Sequence, residues 1–191
     1  MNTPHPGLGE RFTDAVAYAL ELHGEQVRKA TSIPYLSHLL SVCALVLEDG
    51  GTEDEAIAAL LHDGPEDQGG QATLDEIRRR FGADVAVMVD GLSDTLEDPK
   101  PPWRERKEAY LVRLRHEPES VLRVSLADKL HNLRSVATDL ALIGDELWNR
   151  FNADRDAQAW YNRELLAVFE DRIASSRNLP DFRDLVARIM K

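Results

Sequence analysis

The chain has 191 residues, the size of one domain, and 43% of them are hydrophobic, enough to build a core and too many for global disorder. Its 34 Asp and Glu outnumber 23 Lys and Arg, and the net charge of −11 opposes general adhesion to nucleic acid or anionic membranes. A polyanionic ligand therefore needs a local basic pocket.

Residues 1–10 read as a flexible N-terminus without the basic and apolar regions of a signal peptide, and no apolar run approaches the ~18 residues of a membrane span. With one cysteine, Cys43, no internal disulfide is possible; the expected setting is the reducing cytoplasm. Apolar positions recur at three and four almost everywhere, and no stretch sustains period-2 alternation, so the class is all-α. Phe12, Val16, Ala19, Leu20 and His23 share one face of a first helix closed by Gly24. A polar basic loop, Glu25 to Pro34, precedes a helix from Tyr35 to Glu48 that ends near Gly50-Gly51.

Thr52 and Glu55 form a capping-box pattern for a helix carrying Ala56 to Asp63, which Gly64-Pro65 should distort or end. Thr73 and Glu76 repeat the pattern and predict a short helix to Phe81; Gly82 breaks it, and Ala83 to Leu92 forms another. Asp94 to Pro102 holds three prolines and reads as a loop. Helices are expected over Trp103–His116, Pro118–Leu140 and Asp154–Ser175, with a break at Gly144 and a turn at Trp148–Phe151. The segment 176–191 has an amphipathic pattern in Phe182, Leu185, Val186, Ile189 and Met190, expected to pack as a helical extension on a domain spanning 11–175.

The chemistry concentrates at His62-Asp63 and Glu66-Asp67, one imidazole and three carboxylates within six residues, delivered by the apolar run Ala58-Ala59-Leu60-Leu61. Carboxylates crowded beside a core resist ionisation unless a cation is present. His38 lies one helix earlier. Asp128, on an otherwise apolar helix, shares a polar stripe with Asn132 and Ser135. Two imidazoles and two carboxylates suit Mn²⁺, Fe²⁺ or Zn²⁺, and soft thiolate ligation is absent. Positive charge for a phosphate is supplied by Pro99 to His116, where Lys100, Arg104, Arg106, Lys107, Arg113 and Arg115 face only Glu105 and Glu108. Trp103, at the start of that run, is placed to pack or to stack on a base.

His38, His62-Asp63 and Asp128 match the H…HD…D signature of the HD-domain metal-dependent phosphohydrolases. With His23-Gly24-Glu25-Gln26-Val27-Arg28-Lys29, Pro34-Tyr35-Leu36-Ser37-His38, Phe81-Gly82 and Leu126-Ala127-Asp128-Lys129-Leu130-His131-Asn132-Leu133-Arg134, the stretch from Arg11 to Tyr161 resembles the hydrolase domain of RelA/SpoT proteins and the small alarmone hydrolases. The resemblance implies an HD helical bundle that removes the 3′-pyrophosphate from guanosine tetra- or pentaphosphate with one Mn²⁺. It implies His38, His62, Asp63 and Asp128 as metal ligands and Glu66 and Asp67 as the pair acting on the attacking water. Arg28, Lys29, Ser32 and Asn132 would face the nucleotide, and the basic residues Lys100, Arg104, Arg106 and Lys107 join them as candidate phosphate contacts. The chain departs from the family pattern at Gly64-Pro65, at Gln68-Gly69-Gly70, at Leu39, and in a longer Arg28–Pro34 loop. Two other readings stay open: a different nucleotide phosphate as substrate, and a silent nucleotide-binding regulator. The expected partner is a small nucleotide, with no nucleic acid, no membrane and an open oligomeric state.

Overall fold

The computed structural model describes residues 7–95 and 99–190; most of the N-terminal segment expected to be flexible lies outside the described residues. The chain forms α1 (Glu10–His23), α2 (Leu36–Glu48), α3 (Glu53–Leu61), α4 (Gly64–Asp67), α5 (Gly70–Phe81), α6 (Ala83–Leu92), α7 (Trp103–Leu114), α8 (Glu119–Ile143), α9 (Arg155–Arg172) and α10 (Leu179–Ile189), with a 3-10 segment, Gly144–Arg150, after α8. The described residues contain no β-strand; Val27 and Pro34 make a single antiparallel bridge that closes the basic loop. No helix among them is long and apolar enough to cross a membrane.

Helix α3 is the hub. Its capping box is complete: Thr52 Oγ1 accepts from the Glu55 amide at 3.3 Å, and Glu55 Oε2 accepts from the Thr52 amide at 2.7 Å. Seven consecutive residues, Glu55 to Leu61, are buried, and the small side chains of Ala56, Ala58 and Ala59 let α1, α2, α6 and α8 pack around it. The buried Glu55 carboxylate is met by Arg123 of α8, whose guanidinium also lies 3.5 Å from Asp49 Oδ2. α3 stops at Leu61 because Gly64-Pro65 follows. Pro65 has no amide hydrogen to continue α3 but suits the first turn of a new helix, α4. The joint between the two helices carries His62 and Asp63.

Helix α8 buries Val121, Leu122, Val124 to Asp128, Leu130 and Leu133, so Asp128 enters the core on a largely apolar face; the helix runs three residues past the expected end, to Ile143, and stops at Gly144 with φ 61°. The capping pattern read at Thr73 and Glu76 is corrected. α5 starts three residues earlier, at Gly70, and Thr73 lies inside it, its hydroxyl donating to the Gln68 carbonyl at 2.7 Å. Glu76 pairs instead with Arg79 and Arg80. The turn glycines Gly69 and Gly70, at φ 126° and 61°, let the chain enter the helix directly. In α10, Leu179, Phe182, Leu185, Val186 and Ile189 are buried against α8 and α9, and the Phe182 ring meets Phe169 edge to face at 5.6 Å.

Candidate metal centre and adjoining cavities

α2 presents His38, the α3–α4 joint presents His62 and Asp63, and α8 presents Asp128. His38, His62 and Asp128 each bring one ligand atom to within 4.8 Å of the others, and all three are buried. His38 Nε2 lies 3.2 Å from Asp128 Oδ1, and His62 Nε2 lies 3.7 Å from the same oxygen. Asp63 stands at the edge of the group, its Oδ2 3.1 Å from His62 Nε2 and 3.6 Å from His38 Nε2, and the Tyr35 hydroxyl donates to it at 2.6 Å.

The donor set fits a cation. His62 Nδ1 lies 2.8 Å from the Ala59 carbonyl, which can only accept, so Nδ1 carries the hydrogen and Nε2 of a neutral ring holds a lone pair. That Nε2 is buried, has no hydrogen-bond partner, and faces two carboxylates. A lone pair against two carboxylates is repulsive, so positive charge belongs at this nitrogen: a proton in the metal-free cluster, or a cation that displaces that proton when it binds. Burial alone would keep His62 neutral, yet the carboxylates of Asp63 and Asp128 outweigh it and hold its pKa well above the usual value. Burial likewise opposes ionisation of Asp63, but the imidazoles of His62 and His38 hold it well below the carboxylate range. For Asp128 burial is outweighed by Lys129 and the two imidazoles, again downward.

Three supporting residues went unassigned in the sequence. His131 Nδ1 is 2.8 Å from His38 Nδ1, Lys129 Nζ is 2.5 Å from Asp128 Oδ2, and Tyr35 holds Asp63. His131 lies three positions after Asp128, a spacing that shares a helix face and was the available signal. Burial, His38 and Arg28 push the His131 pKa down to about 4, so the ring is neutral at pH 7. Asn132 donates to Asp128 Oδ1 at 2.6 Å and accepts from Arg28 Nη2 at 2.9 Å, tying the basic loop to the cluster.

The acidic pair divides. Glu66 lines a cavity of about 150 Å³ beside the cluster, together with His62, Asp63, Asp128 and Lys129. Its Oε1 accepts from the Asp94 amide at 2.5 Å, and Lys100 Nζ is 3.5 Å from Oε2. Burial raises the Glu66 pKa; the Asp94 amide opposes this, while the charges of Asp63 and Asp94 add to it. Asp67 is exposed, lines none of the cavities described here, and accepts from Gln26 at 2.9 Å.

A second cavity, about 550 Å³, meets the first at Tyr35 and Asn132 and is lined by Arg28, Lys29, Thr31, His131, Arg134 and Arg150 among others. Its volume is in the range of small-molecule sites. Ser32 is exposed and does not line it; its neighbour Thr31 does. Of the basic run, Lys107 lines the small cavity and bonds Asp94 Oδ2 at 3.0 Å. Arg106 is taken up by Asp94 and the Pro101 carbonyl. Arg104 bonds Glu108, lies over the Trp160 ring and lines neither cavity. Trp103 packs edge to face on Trp160 and Tyr161.

The HD domain family matches residues 15–159, a stretch that holds the whole cluster. Guanosine-3′,5′-bis(diphosphate) 3′-pyrophosphohydrolase MESH1 of Xenopus tropicalis is 38% identical over 126 residues, 64% of this chain and 68% of that protein. The guanosine-3′,5′-bis(diphosphate) 3′-pyrophosphohydrolase of Aquifex aeolicus is 34% identical over 132 residues, 69% of this chain but 18% of that much longer protein. The structure of a metazoan SpoT ortholog that hydrolyses ppGpp shares the fold at a TM-score of 0.74 and 23% identity, over 97% of this chain and 98% of that one.

Proposed function

This chain belongs to the HD domain family, in the group that contains the MESH1 and SpoT hydrolases, and from that membership we propose that it removes the 3′-pyrophosphate of guanosine tetra- or pentaphosphate. One observation carries the reading: the stretch shared with the family contains a metal-fitting cluster that opens, through Asn132, onto a basic cavity of nucleotide size.

His38, His62, Asp63 and Asp128 would hold one divalent cation, and their mixed nitrogen and oxygen donors suit Mn²⁺. The chemistry such an ion supplies is charge: it acidifies a water towards a pKa of ~7 and offsets the anionic phosphoryl oxygens. Glu66, facing the same cavity with a raised pKa, takes the proton of the attacking water. Attack on the phosphorus next to the 3′-oxygen forms a new P–O bond and breaks the old one; the electron pair goes to the 3′-oxygen, which takes up a proton. Arg28 and Asn132 orient the nucleoside side, and Lys29, Arg134 and Arg150 offset the charge of the 5′-phosphates. Asp67 acts through Gln26, holding the loop that carries Arg28.

The test is Mn²⁺-loaded protein with a panel of nucleotides carrying 3′-diphosphate, 3′-monophosphate or only 5′-phosphates, products resolved by chromatography. Turnover confined to the 3′-diphosphates supports the reading; turnover of 5′-phosphates alone overturns it.

A further inference from the structure

Behind the metal cluster, the 150 Å³ cavity continues into a third cavity of about 230 Å³, and Lys107, Lys129, Asn132 and Tyr161 line both. The outer walls are aromatic, with Trp103, Trp148 and Phe151. Tyr161 is 5% exposed, and its hydroxyl is buried without a hydrogen-bond partner among the described residues. Trp148 Nε1, another buried donor without a partner, belongs to the same cavity wall. A buried hydroxyl left unpaired is costly, so an orphan of this kind calls for an explanation. The space is far larger than the ~10–15 Å³ that one water needs.

The charges point to what fills it. Lys107 and Lys129 are the cations of the small cavity. Each ammonium has three hydrogens. Lys129 uses one on Asp128 Oδ2, and Lys107 uses one on Asp94 Oδ2 while lying 5.1 Å from the centre of the Tyr161 ring. Remaining ammonium hydrogens, the Tyr161 hydroxyl and the Trp148 indole N–H make a set rich in donors, directly beside the place where the reacting phosphoryl group must sit.

We propose that Lys107, Lys129 and Tyr161 form the subsite for the distal phosphoryl group of the 3′-diphosphate, so that the site recognises a diphosphate and not a monophosphate. This rests on the hydrolase reading for the identity of the substrate, but its ligand chemistry, an inorganic diphosphate, is tested separately. In the reaction the diphosphate leaves with both phosphoryl groups intact: the proximal one gains the oxygen of water, and the distal one stays on the lysines and Tyr161 throughout.

The experiment is calorimetric titration of inorganic pyrophosphate, and of orthophosphate, into the Mn²⁺-saturated protein, for wild type and Tyr161→Phe. Removing an unpartnered hydroxyl leaves no protein group unpaired, so the variant should fold with an unchanged or higher Tm. Pyrophosphate affinity should fall by about tenfold or more, the usual effect of losing a hydrogen bond to a charged group, while orthophosphate binding stays the same. The kcat/KM preference for a 3′-diphosphate over a 3′-monophosphate should shrink by the same factor. Equal effects on both anions, no effect on either, or no pyrophosphate binding by the wild type would overturn the subsite. If pyrophosphate binds as described but no guanosine 3′-diphosphate is hydrolysed, the subsite stands and the substrate assignment falls.

Discussion

The Nδ1 atoms of His38 and His131 lie 2.8 Å apart, and only one of them can carry the hydrogen between them. If His38 Nε2 is to hold a metal, its lone pair must be there and its hydrogen on Nδ1, so His131 must accept through a bare Nδ1. The low His131 pKa agrees, because the ring stays neutral at pH 7. His131→Leu is therefore expected to weaken Mn²⁺ binding ~10–100-fold, the usual range for losing a group that orients a ligand, and His131→Gln, which retains an acceptor, to recover part of it. Calorimetric metal titration reads this directly; equal affinity in wild type and His131→Leu would deny the role.

The acidic pair should separate in kinetics. Glu66→Gln is expected to lower kcat by ~10²–10⁴, as for loss of a general base, while metal content is retained. Asp67→Asn, on the exposed side at Gln26, should cost far less. Equal losses in the two variants would place Asp67 in the chemistry after all.

Glu66 also carries a pH signature. As a base it must be ionised, so kcat/KM of the metal-loaded enzyme should fall at low pH as Glu66 takes up a proton, and Glu66→Gln should lose that limb. Stability has the opposite sign. Between the ordinary glutamate value and the raised one of Glu66, the folded metal-free protein holds the proton longer than the unfolded chain, so stability falls as pH rises across that window. Metal-free Glu66→Gln should thus have the higher Tm at pH 7 to 8, with the difference vanishing below the ordinary carboxylate range. Thermal melts at both ends check the sign.

Much of this was legible in the sequence because its signals are local. The Thr52 and Glu55 cap, the Gly82 and Gly144 breaks, and the Pro65 interruption act within a few residues. The His38, His62, Asp63 and Asp128 grouping followed from motif order. What sequence spacing did not carry depends on which faces meet. Tyr161 reaches the cluster's neighbourhood only because α9 packs on α7 and α8, and the basic run divides because Asp94 and the Pro101 carbonyl take up Arg106 and Glu108 and Trp160 take up Arg104, while Lys107 stays on the cavity wall. The cap misread at Thr73 has a local cause too: its hydroxyl serves the Gln68 carbonyl inside a helix already begun at Gly70.

That division predicts unequal variants. Arg28→Ala should raise KM for the nucleotide, since Arg28 is tied to Asn132 at the mouth of the cluster. Arg104→Ala should leave KM unchanged, because Arg104 pairs with exposed Glu108 and stacks on Trp160. Steady-state kinetics on both variants decides; a larger effect at Arg104 would redraw the phosphate path.

Arg123 is the main electrostatic strut between α8 and the hub helix. Arg123→Met would leave Glu55 and Asp49, both with side chains 4% exposed, without their cation. The expected cost is ~3–5 kcal/mol, a Tm fall of roughly 10 °C or more. Calorimetry showing no shift would mean that those carboxylates are neutral or otherwise satisfied.

The most direct measurement is phosphorus NMR of guanosine tetraphosphate incubated with the metal-loaded chain, alongside Asp128→Ala. The expected result is pyrophosphate released in equal amounts with guanosine 5′-diphosphate, dependent on the divalent metal and abolished in the variant. Release of orthophosphate in place of pyrophosphate, or equal turnover by Asp128→Ala, would contradict a metal-dependent 3′-pyrophosphohydrolase.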